Sequence, residues 1–357
     1  MFGKLATAGA AAALAFVIHT GPAMAAAKEI KMTAISGHPP AIAVVKYLKE
    51  FFIPEVNKRL AKTGKYKIKW TQAYAGTVAK VPAVFEAIEQ GIADMGHVFM
   101  GVESAKMPME SITYVAPFGT SDLVKLLDIV QQLHDAVPEM NAAYEKHNQV
   151  LLALAGVDSY HIFSKTPVKT LDDIKGKKLG IPGAAANWLK GTGAAAVRGN
   201  LTTYYNSLKT GVYDGVVVFG SGSLPFKFYE VAPNLISTHV GAMFSAVLTV
   251  NKDKWNSLPP EVQQVFREVG REYTRVVGAD RVKAGKTTFA VVKKAGGKVT
   301  DMPDAERTRW AKSLPPLGKQ WADALDKKGL PGTKILNTYM DLSRKAGVKF
   351  ARDWDKE

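Results

Sequence analysis

Polar and apolar residues alternate along several short stretches of this chain, and helical spacing fills the gaps between them. Glu29 to Ser36 (EIKMTAIS) alternates as a half-buried strand does and stops at Gly37-His38-Pro39-Pro40. From Ala41 to Leu60 the apolar residues recur at helical spacing, interrupted by Pro54 and ended by Gly64. Tyr66 to Tyr74 alternates again, Val81 to Gln90 predicts a short helix closed by Gly91, and Ala93 to Met100 predicts a third strand. A second unit begins near Gln149, with strands predicted over Val150–Ala155, Tyr160–Ser164, Lys178–Ile181 and Val216–Phe219. Leu171–Lys175 and Asn200–Lys209 read as helices between them. This order of strands and helices predicts an α/β fold in which helices cover each sheet. The chain returns through a strand-like run, Ala246–Asn251. A long helical pattern follows from Pro260 to about Ala295, with Ser257 as its candidate N-cap and Pro259-Pro260 at its first turn. At 1.5 Å per residue such a helix reaches about 50 Å. Gly270, Gly278 and Gly285 mark places where it is expected to weaken. There is no internal repeat and no low-complexity tract.

Lys4, the apolar run Leu5–Ile18 and the triplet Ala23-Met24-Ala25 have the order of a secretory leader, with cleavage expected after Ala25 or within two residues of it. No later stretch offers about 18 uninterrupted apolar residues, so the mature chain is expected not to span a membrane. The 357 residues include no cysteine, which excludes disulfides, thiolate metal sites and cysteine nucleophiles. Basic residues outnumber acidic ones 47 to 32, a net charge of +15, or +14 once Lys4 is removed. The lysines are scattered and form no nucleic-acid-binding motif, so no nucleic-acid partner is expected. Such a surface suits solvation, an anionic membrane face or the steering of anionic solutes.

No catalytic signature is present. Gly220-Ser221-Gly222-Ser223 lacks the spacing of a nucleophile elbow, and there is no phosphate- or dinucleotide-binding glycine motif. The seven histidines never fall at H-x-x-x-H spacing, although His38, His97, His161 and His239 are free to converge in space. These readings predict a binding protein that is not an enzyme and needs no cofactor or metal. In α/β proteins with open sheets the ligand lies outside the carboxyl ends of the strands. That rule selects His38, Tyr74, His97 and Phe99 in the first half. In the second it selects Asp158, Tyr160, Gly180, Asn187, Trp188, Val218 and Phe219, with Phe244 at the return strand.

The stretch from Ser164 to Gly215 adds a more specific clue. It opens with SKTPVKTLDDIKGKKLGIPG and closes with TTYYNSLKTGVYDG. This resembles the solute-binding proteins of TRAP transporters (the DctP type), and the resemblance extends over about Lys28 to Gly329. It implies a two-lobed periplasmic-binding-protein fold, type II-like, with a long helix spanning both lobes. It also implies a periplasmic location, a small organic acid as ligand and membrane permease subunits as partners. On that reading lobe I comprises residues 26–155 plus 243–285, and lobe II 156–242 plus 286–357. A ligand-sensing module on the same fold and an exported enzyme are the rival readings.

The same resemblance exposes a departure. Where the family carries a clamp arginine in K-x-R-x-P, this chain has Lys178-Leu179-Gly180-Ile181-Pro182, so the clamp position is Gly180. A second family arginine falls at about Tyr160, an asparagine at Val218 and an aromatic at Leu201, whereas Asn187 keeps its family-like identity. A buried carboxylate needs charge-assisted hydrogen bonds. Arg198 is the one arginine that could replace the clamp, a surface role being the alternative, with Lys80 or Lys165 as looser point charges. The surrounding aromatics predict a more apolar or aromatic monocarboxylate, or else a neutral solute, or a cationic amine held by aromatic faces and Asp158.

Overall fold

The computed structural model describes residues 27–356, together with Gly3; the expected leader and its cleavage site lie outside the described residues. Two sheets organise the molecule. The first runs in the order β2 (Tyr66–Ala73), β1 (Lys28–Ser36), β3 (Met95–Phe99), β10 (Met243–Asn251), β4 (Gln149–Val157). The second runs β11 (Lys298–Asp301), β9 (Asn234–Ser237), β5 (Tyr160–Ser164), β8 (Gly215–Phe219), β6 (Lys178–Ile181), β7 (Ala195–Arg198). In each, parallel neighbours are joined through helices, and one returning strand, β10 or β5, pairs antiparallel on both sides. β10 is buried along its whole length, and its sequence MFSAVLTVN is accordingly apolar on both faces.

Three connections pass between the sheets. Residues 158–159 lead from β4 to β5, and residues 238–242 lead from β9 back to β10. These crossings are tied together: Tyr160 N–H donates to the Gly241 carbonyl at 3.2 Å, and Gly241 N–H to Ser159 Oγ at 3.2 Å. The third is the helix Pro260–Lys294. Val262, Phe266, Tyr273 and Val277 sit in the core of the first sheet, and Val292 sits in the core of the second. The long helix therefore spans both lobes, as the resemblance implied.

That helix runs unbroken through all three glycines. Each one lets a neighbour approach: a Cβ on Gly270 would fall on the Leu152 carbonyl, one on Gly278 would lie 3.3 Å from Val124 Cγ2, and one on Gly285 would fall on the Asp158 carboxylate. Packing against these neighbours outweighs the propensity cost of glycine. The N-cap is Pro259, since Ser257 ends the preceding turn with its Oγ on the Lys254 carbonyl at 2.6 Å. Pro54 does not stop its helix either. Having no N–H to give, it follows a wider π turn at Leu48–Phe52, and the chain stays helical to Gly64, whose left-handed φ of 67° ends it. Leu171–Ile174 is a single 3₁₀ turn rather than a helix, fixed by a reciprocal Thr170/Asp173 capping box and ended by left-handed Gly176.

A short repetition, overlooked in the sequence, is made evident by its structural role. Gly91-Ile92-Ala93-Asp94 leads into β3, and Gly211-Val212-Tyr213-Asp214 leads into β8. Both glycines are left-handed. In each case the aspartate clips the strand to its neighbour: Asp94 Oδ2 accepts from Thr33 N–H at 2.6 Å, and Asp214 Oδ2 from Lys178 N–H at 2.7 Å. Five residues later each strand ends in a half-buried phenylalanine, Phe99 or Phe219. The two lobes thus present equivalent aromatic residues at equivalent strand ends.

Candidate functional site

The carboxyl ends of β1 and β3 bring three predicted residues together. The His38 ring lies 5.7 Å from His97 and 6.1 Å from Phe99, edge-on to both. Tyr74 joins them through its backbone loop, in which Ala75 N–H donates to the His38 carbonyl at 3.0 Å. His97 is almost fully buried, and neither ring nitrogen has a partner. Burial, with His38 and the positive charge of Arg281 adding to it, pushes its pKa down to about 3, so the ring is neutral near pH 7. Burial and Arg281 lower His38 as well.

From the second lobe come Asp158, Tyr160 and Phe219. Ser221, just past Phe219, donates its N–H to Asp158 Oδ2 at 3.0 Å and its hydroxyl to Asp158 Oδ1. Gly220 and Gly285 both close on the same carboxylate; a Cβ on Gly220 would lie 2.9 Å from Oδ2. Burial raises the Asp158 pKa against the pull of Ser221 and Arg281.

The residue that links the halves is Arg281, on the long helix. Its Nη1 donates to Ser221 Oγ at 3.1 Å, and its charge acts on His38 and His97 across the gap. Its Nε is shut off from water and has no partner. Burial lowers the Arg281 pKa, opposed by Asp158 and Asp280. The guanidinium remains cationic, since arginine holds its proton at any ordinary pH. A half-buried cation with an unused donor, between two strand ends that carry phenylalanines, is chemically equipped to seat an anion bearing an apolar group.

The aromatic wall continues behind Phe219. Tyr160 packs edge-on to Phe219 at 5.6 Å and to Trp188 at 5.1 Å, and Tyr114 stacks on Trp188 at 5.7 Å. Trp188 is fully buried, with its Nε1 held by the Tyr114 carbonyl at 2.8 Å.

Other predicted residues lie apart from this cluster. At Gly180 a Cβ would point at the Tyr213 ring, 2.8 Å away, and at Val216, into the lobe's own core. Val218 faces that same core, Phe244 is buried in β10, Asn187 is exposed on a 3₁₀ turn, and Arg198 is exposed on the edge strand β7. The four histidines form two separate pairs, His38/His97 at the site and His161/His239 at 5.7 Å. Arg281, Ser221 and Tyr114 are the site residues that the strand-end rule does not reach. Gly278, Arg281 and Gly285 stand three and four residues apart, on one stripe of the helix, and this spacing is the signal in the sequence for a closely packed arginine. Two depressions, of about 600 and 400 Å³, are lined by none of the cluster residues.

The family model of the bacterial extracellular solute-binding proteins, family 7 (DctP), matches residues 38–324. This chain belongs to that family. Among curated relatives of this family-7 protein, a solute-binding protein of Sulfitobacter sp. (strain NAS-14.1) is 34% identical over 130 residues, 36% of this chain and 39% of the relative. The match thus spans less than half of that relative's length. Among solved structures, a TRAP periplasmic solute-binding protein from Desulfovibrio salexigens superposes with a TM-score of 0.78 at 22% identity, covering 88% of this chain and 96% of that one. A TRAP solute-binding protein from Rhodoferax ferrireducens, in complex with copurified benzoate, gives a TM-score of 0.77 at 16% identity, covering 89% and 98%. The structural likenesses show the two-lobed fold, and the family match shows an extracellular solute-binding protein. Among the described residues, no helix is long and apolar enough to cross a membrane.

Proposed function

We propose that this protein is the periplasmic receptor of a TRAP transporter and that its solute is an aromatic monocarboxylate. The observation that carries the reading is Arg281, a half-buried cation whose Nε–H has no partner, placed by its contact with Ser221 and its action on His38 and His97 between the strand ends that terminate in Phe99 and Phe219. In this reading the carboxylate sits on Arg281, and neutral His97 and His38 supply further hydrogen bonds. The ring lies between Phe99 and Phe219, with Tyr160 behind the latter. Ring stacking and a single anion seat favour one carboxylate over two. The benzoate held by the Rhodoferax protein is a ligand of this class. The exposure of Arg198 and the core-facing direction of Gly180 support Arg281, rather than either of those positions, as the anion seat. A cationic amine on Asp158 is disfavoured, because Ser221 already occupies that carboxylate and two glycines close on it.

Solute arriving in the open form ties the lobes through contacts made only when they close, and that difference in affinity drives closure. The closed form then docks on the membrane permease subunits. A chain with this site binds its solute and releases it unchanged. The test is a thermal-shift screen of the mature protein against benzoate-type acids, C4-dicarboxylates, amines and neutral polyols. A ligand at 100 times its Kd adds about 2.7 kcal/mol of stability. Stabilisation by aromatic monocarboxylates alone is the expected result. Stabilisation by dicarboxylates or amines, with none from aromatic acids, would overturn the reading.

A further inference from the structure

Away from the solute site, where the crossing strands meet the C-terminal segment, lies the cavity of about 400 Å³. Its polar lining comprises Thr120, Ser121, Lys125, His239, Arg307 and Lys349, with no carboxylate among its lining residues. Three cations from three separate segments converge there: Lys125 on the helix Leu123–Ala136, Arg307 on the helix Asp304–Ser313, and Lys349 after the last helix. Arg307 Nε is buried with no partner, and its Nη1 reaches only a long 3.5 Å contact with Asp304, which is 96% exposed. His239 is held in a left-handed conformation (φ 46°) that costs energy for a residue with a Cβ. Its ring is fixed by Ser237 Oγ at 2.8 Å and Ser121 Oγ at 3.4 Å. A buried guanidinium N–H without a partner and two lysines make a cationic site, offset from within by the long contact to exposed Asp304. Burial and Arg307 lower the pKa of His239, against Asp301 and Asp304, so its anchored ring is a neutral polar group there.

We infer that this cavity is a second binding site and that it takes a small multivalent oxyanion of the size of phosphate or sulfate. Its planar donor is Arg307, whose guanidinium lines the cavity and has the fork that suits an oxyanion. Lys125 and Lys349 act as flanking point charges. The inference is independent of the identity of the solute, since no residue of the cavity belongs to the solute cluster. The site straddles the crossings: the Thr120 carbonyl accepts from Ala242 N–H at 2.9 Å, and the Phe118 N–H donates to the Val240 carbonyl at 2.6 Å.

The experiment titrates the purified mature protein with inorganic phosphate, and separately with sulfate, by calorimetry and thermal shift. Sodium chloride at matched ionic strength is the control. One saturable site is expected for phosphate or sulfate and none for chloride. Arg307→Gln, and separately a Lys125→Ala/Lys349→Ala double variant of two exposed residues, should weaken that site at least about tenfold. Arg281→Gln should leave it intact. If chloride stabilises as well as phosphate, or if binding survives the double variant, the cavity is not an oxyanion site. If binding disappears with Arg281→Gln, the anion is going to the solute site and the inference fails. The double variant keeps the test decisive should Arg307→Gln not fold.

Discussion

At the scale of single residues, Arg281 decides between the proposed function and its alternatives. Removing one partner of a desolvated charged contact typically costs 2–5 kcal/mol. Arg281→Gln is therefore expected to weaken the aromatic acid at least about 30-fold by calorimetry, whereas Arg281→Lys, which keeps the charge and loses the fork, should lose less. Equal affinity in Arg281→Gln would remove the anion seat from this position. Gly180 offers the complementary test. An added Cβ meets the Tyr213 ring at 2.8 Å, so Gly180→Ala is expected to cost about 1–3 kcal/mol in denaturant unfolding through overpacking. Gly180→Arg should not raise solute affinity, and a gain would show that this position does reach the ligand. These residues also mark what could be read from the sequence. The strand-end rule selected His38, His97, Phe99, Asp158 and Phe219, which the fold brings into one candidate cluster, because a strand's carboxyl end is a local property; Tyr160, also selected, instead opens β5 and joins the cluster through its ring contact with Phe219. The rule missed Arg281 because that residue reaches the site from the middle of a helix, and which face of a helix meets a cleft is set by packing.

At the scale of elements, the long helix exchanges intrinsic propensity for close approach. Replacing an interior helical glycine by alanine ordinarily gains up to about 1 kcal/mol. At Gly278 the new Cβ would lie 3.3 Å from Val124 Cγ2, a contact tight by only a few tenths of an ångström that offsets the propensity gain, so Gly278→Ala should be near neutral. At Gly285 the Cβ would fall on the buried Asp158 carboxylate, which Ser221 and Gly220 already fix. Gly285→Ala should therefore destabilise by a few kcal/mol and shift solute affinity, since it displaces the group that orients Ser221 beside Arg281. Equal unfolding midpoints for the two variants would show that the helix does not seat against Asp158 as described. The strands β1 to β6, β8 and β10 were legible because their alternating or apolar runs are long or sharply bounded. β7, β9 and β11 have four residues each and no distinctive pattern, and their pairing partners specify them. The twin aspartate clips were hidden for a different reason. Asp94 and Asp214 lie 120 positions apart, and their equivalence is one of hydrogen bonding to the neighbouring strand, which sequence alone does not display.

At the scale of the whole molecule, the buried histidines couple stability to pH, and their signs differ. His134 is fully buried. Burial alone would lower its pKa, but Glu110 at 3.3 Å and Asn141 raise it above the ordinary value. Its contribution is present below an unfolded pKa of about 6.5 and is lost as pH rises through the folded value. His161 is the opposite case. Burial, with His239 adding, pushes it down to about 3. The folded state keeps its ring neutral while the unfolded chain takes up a proton below about pH 6.5, so its contribution is present above that pH and is lost as pH falls toward 3. Asp158 and Glu103, buried carboxyls with raised pKa values, act against this loss, so the net slope of the intact protein mixes several groups. A single substitution separates them. His161 packs edge-on against Phe289 at 5.1 Å, and its Nδ1 has no partner, so phenylalanine can replace it without abandoning a hydrogen bond at that atom. Well below pH 6.5 the intact protein loses up to about 1.4 kcal/mol per pH unit through this one group, and the variant does not. Urea unfolding of both proteins between pH 7.5 and 5 should therefore give stability curves that converge or cross as pH falls, with His161→Phe gaining relative to the intact chain. Parallel curves would mean that His161 is protonated, or exposed to water, in the folded state.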